Sequence, residues 1–306
     1  MLVDIPGRVE ASRLTRRCAW CGRAIDSRPS PWRAIVRCAC GVANTNPWPT
    51  KAELDAAYAG WYRPRSGRFW GLGDAVLRRT RGQLARRLDG IAPHGPILDV
   101  GAGDGSLLDA LRGRGRSVLG VERESNRPDV TTRGLEELNH GWAAIVFWHA
   151  LEHLPDPGPQ LECAAGLLAR RGILVVAAPN LDSLQARTFG DHWFALDPPR
   201  HLVHIPARAL TDRLRALDLA IERVSYWRGG QVVFGWLHGL VGSLPGHPDL
   251  YDAIRRPAAR RRIMPSATRA AAVGSAALLA PLAVAAAGIE IAARRGGSVY
   301  VEARRG

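Results

Sequence analysis

Three groups of residues in this sequence are of kinds that do chemistry. Cys18-x2-Cys21 and Cys38-x-Cys40 are separated by sixteen residues, close to the paired-knuckle pattern of a tetrahedral zinc site, although the second pair is one residue shorter than usual. Four thiolates so placed close a structural site. The second group is Ile97-Leu98-Asp99-Val100-Gly101-Ala102-Gly103-Asp104-Gly105, a buried-strand pattern running into three alternate glycines. Glycine is needed where backbone turns with positive φ and lies against a ligand. Glu122, seventeen residues after Gly105, ends the next strand, and a carboxylate there can accept both hydroxyls of a ribose. Dinucleotide sites want G-x-G-x-x-G, whereas here the third glycine comes one residue early. Asp99 and Asp104 also add negative charge, which suits a cationic ligand better than a diphosphate.

Histidines make the third group. His149 follows an apolar run, and its imidazole titrates near neutrality, as a general base requires; a ring that only lines a pocket or caps a loop is the alternative. His201 and His204 follow Pro198-Pro199-Arg200 and are candidates for orienting substrate, with a surface loop as the competing expectation. His153 is expected to satisfy local backbone groups.

The elements that hold these residues can be read from periodicity. Thr50 and Glu53 form a capping-box pair that opens a helix. A second helix is expected over 74–88, with Val76, Thr80, Leu84 and Leu88 on its packed face. Apolar runs at 97–100, 117–121, 143–148 and 173–178 then alternate with amphipathic stretches, one of which carries Cys163 as a core residue. That alternation means an α/β fold with a parallel sheet and crossover helices. Later strands are expected at 219–227 and 299–301. We divide the chain into a zinc-ribbon-like knuckle (14–50), a helical linker (51–93), a core (94–228), a helical apolar insertion (229–297) and a last core strand (298–306).

The chain has 306 residues, 46% hydrophobic and 23% charged, which excludes global disorder. Its net charge of +14 rests almost wholly on arginine, since Lys51 is the sole lysine. Residues 1–17 lack an uninterrupted apolar core, so no secretory signal is expected and the location expected is cytoplasmic. Clustered cysteines in a reducing compartment argue for metal rather than disulfides.

Residues 99–105 resemble motif I of class I S-adenosylmethionine-dependent methyltransferases. The resemblance continues through Glu122, Trp148-His149-Ala150-Leu151-Glu152-His153-Leu154-Pro155-Asp156-Pro157, Ala178-Pro179-Asn180 and residues 193–202, which are similar to the quinone-biosynthesis-type branch. It implies a Rossmann-like seven-stranded sheet whose antiparallel last strand is inserted between strands five and six. It also implies that Gly101, Ala102, Gly103 and Gly105 pass under the methionine part of S-adenosylmethionine, with Asp99 near its ammonium. Glu122 would hold the ribose, Leu135 or Glu136 would lie beside the adenine, and Trp148 would face the cofactor. Ala144 stands where the branch has an acid, and the third-strand region 129–141 is short.

The insertion remains. Residues 270–289 carry no charge and are long enough to span a bilayer, but ten of them are alanine. A single span would put the last strand across the membrane from its partners, so a packed helix or one lying on an anionic surface is expected, with the arginines at 255, 256 and 260–262 facing headgroups. The function expected is methyl transfer to a small or lipid-like acceptor, at oxygen. Two alternatives stand beside it. One is an RNA methyltransferase gripping through the basic knuckle lobe, where Trp32, Trp48, Trp61 and Trp70 lie near arginines. The other is a non-catalytic cofactor-binding protein. Asp197-Pro198-Pro199 does not support a flipped base, since it does not directly follow strand four and Arg200 replaces the stacking aromatic.

Overall fold

The computed structural model describes residues 14–25, 34–59, 69, 72–227, 230–257, 260 and 264–306. In chain order the strands are β1 (Ile35–Arg37), β2 (Ala43–Thr45), β3 (Ile97–Val100), β4 (Val118–Val121), β5 (Val130–Thr131), β6 (Trp142–Trp148), β7 (Leu168–Pro179), β8 (Val203–His204), β9 (Leu219–Ser225) and β10 (Ser298–Arg305). The helices are α1 (Lys51–Tyr58), α2 (Leu72–Ile91), α3 (Ser106–Arg112), α4 (Pro157–Leu167), α5 (Leu184–Phe189), α6 (Ala207–Ala216), α7 (Gly230–Gly242), α8 (Leu250–Ile254) and α9 (Ser266–Ala292).

Seven strands form one sheet in the order β5-β4-β3-β6-β7-β10-β9. Parallel pairing runs from β5 through β7, and β10 lies antiparallel to both β7 and β9. Alternate residues face opposite layers, as the strand period demands. Leu98, Ile145, Phe147, Leu174, Val176 and Val301 pack with α4 and α6, while Ile97, Val146, Val175 and Tyr300 pack with α2 and α3. Glu302 of β10 is buried and takes a bidentate pair of hydrogen bonds from Arg87 of α2 at 2.8 and 2.7 Å. This charge-assisted pair fixes the helix to the penultimate strand of the sheet.

Two expectations need adjustment here. α2 is longer than 74–88, and Val76 at the head of its expected packed face is exposed; only Leu84, Ala85 and Leu88 reach the core. β7 begins at Leu168 rather than near 173, with a register shift against β6 between Trp142 and Ala144. The capping box at Thr50 and Glu53 is present, with both reciprocal hydrogen bonds.

The knuckle packs as part of the main body. β1 and β2 pair antiparallel, and β8 from the segment after Pro198-Pro199 completes their sheet. Cys18, Trp20, Cys38 and Val42 belong to the same apolar cluster as α4 and α6. Gly158 allows this approach, because a Cβ there would lie 2.1 Å from the Trp20 carbonyl oxygen.

The insertion is helical. α9 runs through Pro281 and is tied down by one stripe, Ala272, Ala276, Ala283, Ala287 and Glu290, spaced so that small side chains face α7 and α8. Glu290 is buried and accepts hydrogen bonds from Gln185 N (3.0 Å), Gln185 Nε2 (2.8 Å) and Trp236 Nε1 (2.9 Å). Burial pushes its carboxyl above the ordinary value, while the Gln185 and Trp236 donors pull it back. The opposite face, with Leu278, Leu282, Val284 and Ile289, is exposed, so α9 is less covered than a packed core helix. The arginines before it do not all face outward. Arg255 is fully buried against the Tyr251 ring, and Arg256 turns to Asp74 and the Phe69 carbonyl; Arg261 and Arg262 lie outside the described residues.

Glu290→Ala leaves the Gln185 amide and Trp236 Nε1 without acceptors, while Gln185 Nε2 keeps the Val232 carbonyl, and should destabilise the chain by about 2 kcal/mol or more, at about 1–3 kcal/mol for each orphaned group with partial relaxation. Urea denaturation followed by tryptophan fluorescence measures it. A change below about 1 kcal/mol would mean that the contact does not anchor α9.

Candidate active site

The glycine loop joins β3 to α3. Gly101, Gly103 and Gly105 have φ of 77°, 65° and 76°, a region closed to most L-residues. Gly101 is further constrained, because a Cβ there would lie 2.5 Å from that of Ala150, two residues past the end of β6. The Gly101 and Ala102 amides donate to the Val121 carbonyl at 2.8 and 3.1 Å, so the turn hangs on the end of β4. Glu122, the next residue, accepts from the Gly103 amide at 2.9 Å through one oxygen and from the Arg123 amide at 3.0 Å through the other. Its carboxylate therefore lies directly against the loop, at the C-terminal edge of the sheet. Asp99 is buried beneath, and Ala102 is also buried.

The remaining cofactor candidates are distributed unevenly. Trp148 ends β6, half-buried, with the Arg81 guanidinium 5.2 Å from its ring centre. Leu135 sits in a single helical turn, Leu135–Glu137, and is buried in the core cluster, whereas Glu136 is exposed. The two thus face opposite environments.

His149 follows Trp148 with φ of 53°, a conformation that bends the chain sharply at the end of β6. Its Nδ1 is 3.3 Å from Glu152 Oε1, and its Nε2 is 3.4 Å from the side-chain nitrogen of Gln231, on the first turn of α7. The insertion therefore reaches the candidate base. His201 and His204 are both buried, which rules out the surface-loop expectation. His201 donates from Nδ1 to the Ala195 carbonyl at 2.8 Å, and its Nε2 is 4.0 Å from Glu152 Oε1. Burial pushes His204 down to about 3 and His153 down to about 4. His153 also departs from expectation, because its Nδ1 lies 2.9 Å from the Arg200 carbonyl, forty-seven residues on, and 2.9 Å from the Tyr58 hydroxyl. Sequence reasoning missed Glu152, Gln231 and Tyr58, and only the spacing of Glu152 from His149 carried any signal.

At the knuckle, the Cys18 and Cys40 sulfurs are 3.8 Å apart and those of Cys21 and Cys38 are 3.7 Å apart. A regular tetrahedron with bonds of about 2.3 Å has edges of about 3.8 Å, so the thiols fit a tetrahedral ion. Asn44 supports them, accepting from the Ala19 amide at 2.9 Å. Thr45 donates its hydroxyl to the His201 carbonyl at 2.6 Å and its amide to that of Leu202 at 2.9 Å, which couples the thiol cluster to the histidine segment. Cys163 lies on α4, half-buried against the core.

Residues 75–224 match the methyltransferase-domain family. The chain is 29% identical over 153 residues to the ubiquinone biosynthesis O-methyltransferase of Paracidovorax citrulli (strain AAC00-1), covering 42% of this chain. It spans 64% of that relative's length. Among solved structures, a SAM dependent methyltransferase from Archaeoglobus fulgidus aligns with a TM-score of 0.45 at 15% identity, over 74% of this chain and 94% of that one. Magnesium protoporphyrin IX methyltransferase from Synechocystis PCC 6803 aligns with a TM-score of 0.39 at 19% identity, over 49% of this chain and 76% of that one. With its sheet order, its antiparallel penultimate strand and its glycine turn against Glu122, the chain carries a methyltransferase domain of the class I S-adenosylmethionine-dependent fold.

Proposed function

We propose that the protein binds S-adenosylmethionine over the glycine loop and transfers its methyl group to a small or lipid-like acceptor at oxygen. The observation that carries this is the Glu122 carboxylate held against Gly103 beside three left-handed glycines. Bound there, the donor supplies an electrophilic methyl on a sulfonium. Glu122 would exchange its amide contacts for the ribose hydroxyls, and Asp99 would lie near the ammonium. Trp148 and either Leu135 or Glu136 would border the rest. Such a displacement depends chiefly on alignment. His149, with Nδ1 turned to Glu152, would offer Nε2 to the acceptor hydroxyl and take its proton. The name of the Paracidovorax relative supports oxygen as the accepting atom and the quinone-biosynthesis-type branch.

An RNA acceptor is less well supported. Arg255 and Arg256 face inward, and Trp32, Trp61 and Trp70 lie outside the described residues.

Calorimetric titration with S-adenosylhomocysteine should show Glu122→Ala weakened about 10- to 100-fold, the worth of one charge-assisted pair. His149→Phe should bind that product normally and lose about 10²- to 10⁴-fold in transfer to a panel of phenols and quinols. Unchanged affinity in the first variant would defeat the cofactor assignment, and unchanged turnover in the second would defeat the base.

We assign the four knuckle thiols to one structural zinc, on the tetrahedral fit of their sulfurs. Protein purified without chelator should carry about one zinc that is lost in Cys38→Ser, with a lower melting temperature. Less than about half an equivalent in the unmutated chain would count against the site.

The insertion suggests a peripheral membrane contact. α9 is the one helix among the described residues long and apolar enough to cross a membrane, with an apolar window of mean hydropathy 2.0 that is only 22% buried. Its outward Leu278, Leu282, Val284 and Ile289 lie between exposed Arg269 at one end and exposed Arg294 and Arg295 at the other. That pattern suits an anionic lipid surface, each arginine being worth about 1 kcal/mol there. Flotation should recover the protein with phosphatidylserine vesicles at low salt and not with neutral ones. Recovery with neither would return α9 to a helix packed on α7 and α8 with no membrane role.

A further inference from the structure

We infer that Glu152, His153 and His201 form a binding site for a divalent first-row transition-metal ion, distinct from the four-thiol cluster. One potential ligand atom from each residue lies within 4.8 Å of the others. Glu152 is 2% exposed, and its Oε2 is buried with no hydrogen-bond partner among the described residues. An orphaned buried carboxylate oxygen costs several kcal/mol unless a cation meets it.

The imidazoles are prepared for that cation. His153 Nδ1 faces the Arg200 carbonyl at 2.9 Å, and His201 Nδ1 faces the Ala195 carbonyl at 2.8 Å. A carbonyl only accepts, so His201 Nδ1 carries the ring proton and its Nε2 the lone pair; the same tautomer of His153 lets its Nδ1 proton serve both the Arg200 carbonyl and the Tyr58 hydroxyl oxygen, 2.9 Å away. This is the outer-shell arrangement that orients metal-binding histidines. The two rings meet edge to face with centres 4.6 Å apart, and His201 Nε2 stands 4.0 Å from Glu152 Oε1 and 3.8 Å from Asp197 Oδ2. Arg200, adjacent to His201 in the chain, is ion-paired with Asp197. Small side-chain rotations would close three such ligands on an ion with bonds of about 2.0–2.2 Å.

Two imidazoles with one carboxylate select a transition ion over magnesium or calcium, which prefer all-oxygen shells. Three protein ligands also leave a position open. On the methyl-transfer proposal, on which this role alone rests, that position would take the acceptor oxygen. Its hydroxyl would then lose its proton more readily to His149, whose Nδ1 lies 3.3 Å from Glu152 Oε1, the oxygen that His201 also faces, while Oε2 is left for the ion. Binding of the ion itself does not depend on that proposal.

The test is to strip metal from the full chain with a chelator, titrate with cobalt(II) and record the visible spectrum. The thiol cluster should give an intense thiolate-to-cobalt band, and a further equivalent should add only weak ligand-field bands of a nitrogen and oxygen site. Glu152→Gln and His201→Gln keep side-chain bulk and should each remove the second set while leaving the thiolate band. That band also reports a folded knuckle, since the cluster packs on residues 201–204. Cobalt bound through thiolates alone in the unmutated chain, or ligand-field bands that persist in both variants, would overturn the site. Bands without thiolate character that vanish in the variants would support it even if the knuckle took no metal.

Discussion

The pairing of β10 on both of its edges is the constraint from which the rest of the architecture follows. Its residues lie in register with β7 from Ser298 to Arg304 and with β9 from Tyr300 to Arg305. The chain therefore has to leave the sheet after β9 and return to the slot beside it. A single membrane crossing between those strands would part β10 from both of its neighbours. That closure rules out α9 as a lone span, whatever its hydropathy. Glu290, near the C-terminal end of α9, then secures the return before β10 begins.

The same closure concentrates chemistry at one edge. The glycine turn, Glu122, His149 and the start of α7 all stand where parallel strands end, the usual crevice of open α/β sheets. Asp99 and Asp104 put acid on the loop, and the guanidinium beside Gly105, that of Arg127, is engaged by Asp109 and Asp129. The thiol cluster reaches this edge indirectly, through Thr45 and the segment of His201 and Leu202.

Much of this was legible in local pattern. Motif spacing alone indicated the glycine turn, and alternation of apolar runs indicated the sheet, because both are set by neighbours close in sequence. The helix cap at Thr50 was legible for the same reason. What escaped was set by distant partners. Val76 continues a helical stripe in sequence, yet only the end of α2 meets the sheet. Arg255 is the most polar of side chains and is fully buried beside Tyr251, which no periodicity announces. His153 was expected to serve local backbone and instead binds the carbonyl of Arg200. The burial of His201 and His204 depends on the knuckle lying over them, a contact between opposite ends of the domain.

That contact has a consequence for the order in which the chain can mature. β2 leaves the ribosome some hundred and sixty residues ahead of the strand that flanks it, β8. Until then Thr45 lacks the carbonyls of His201 and Leu202, and the apolar side of the knuckle has no core to join. Such a non-local closure is slow to form and leaves adhesive surface uncovered meanwhile. The four thiols would wait through the same interval, reduced and crowded, so oxidation during synthesis competes directly with assembly. The knuckle is thus made well before the segment that finishes it.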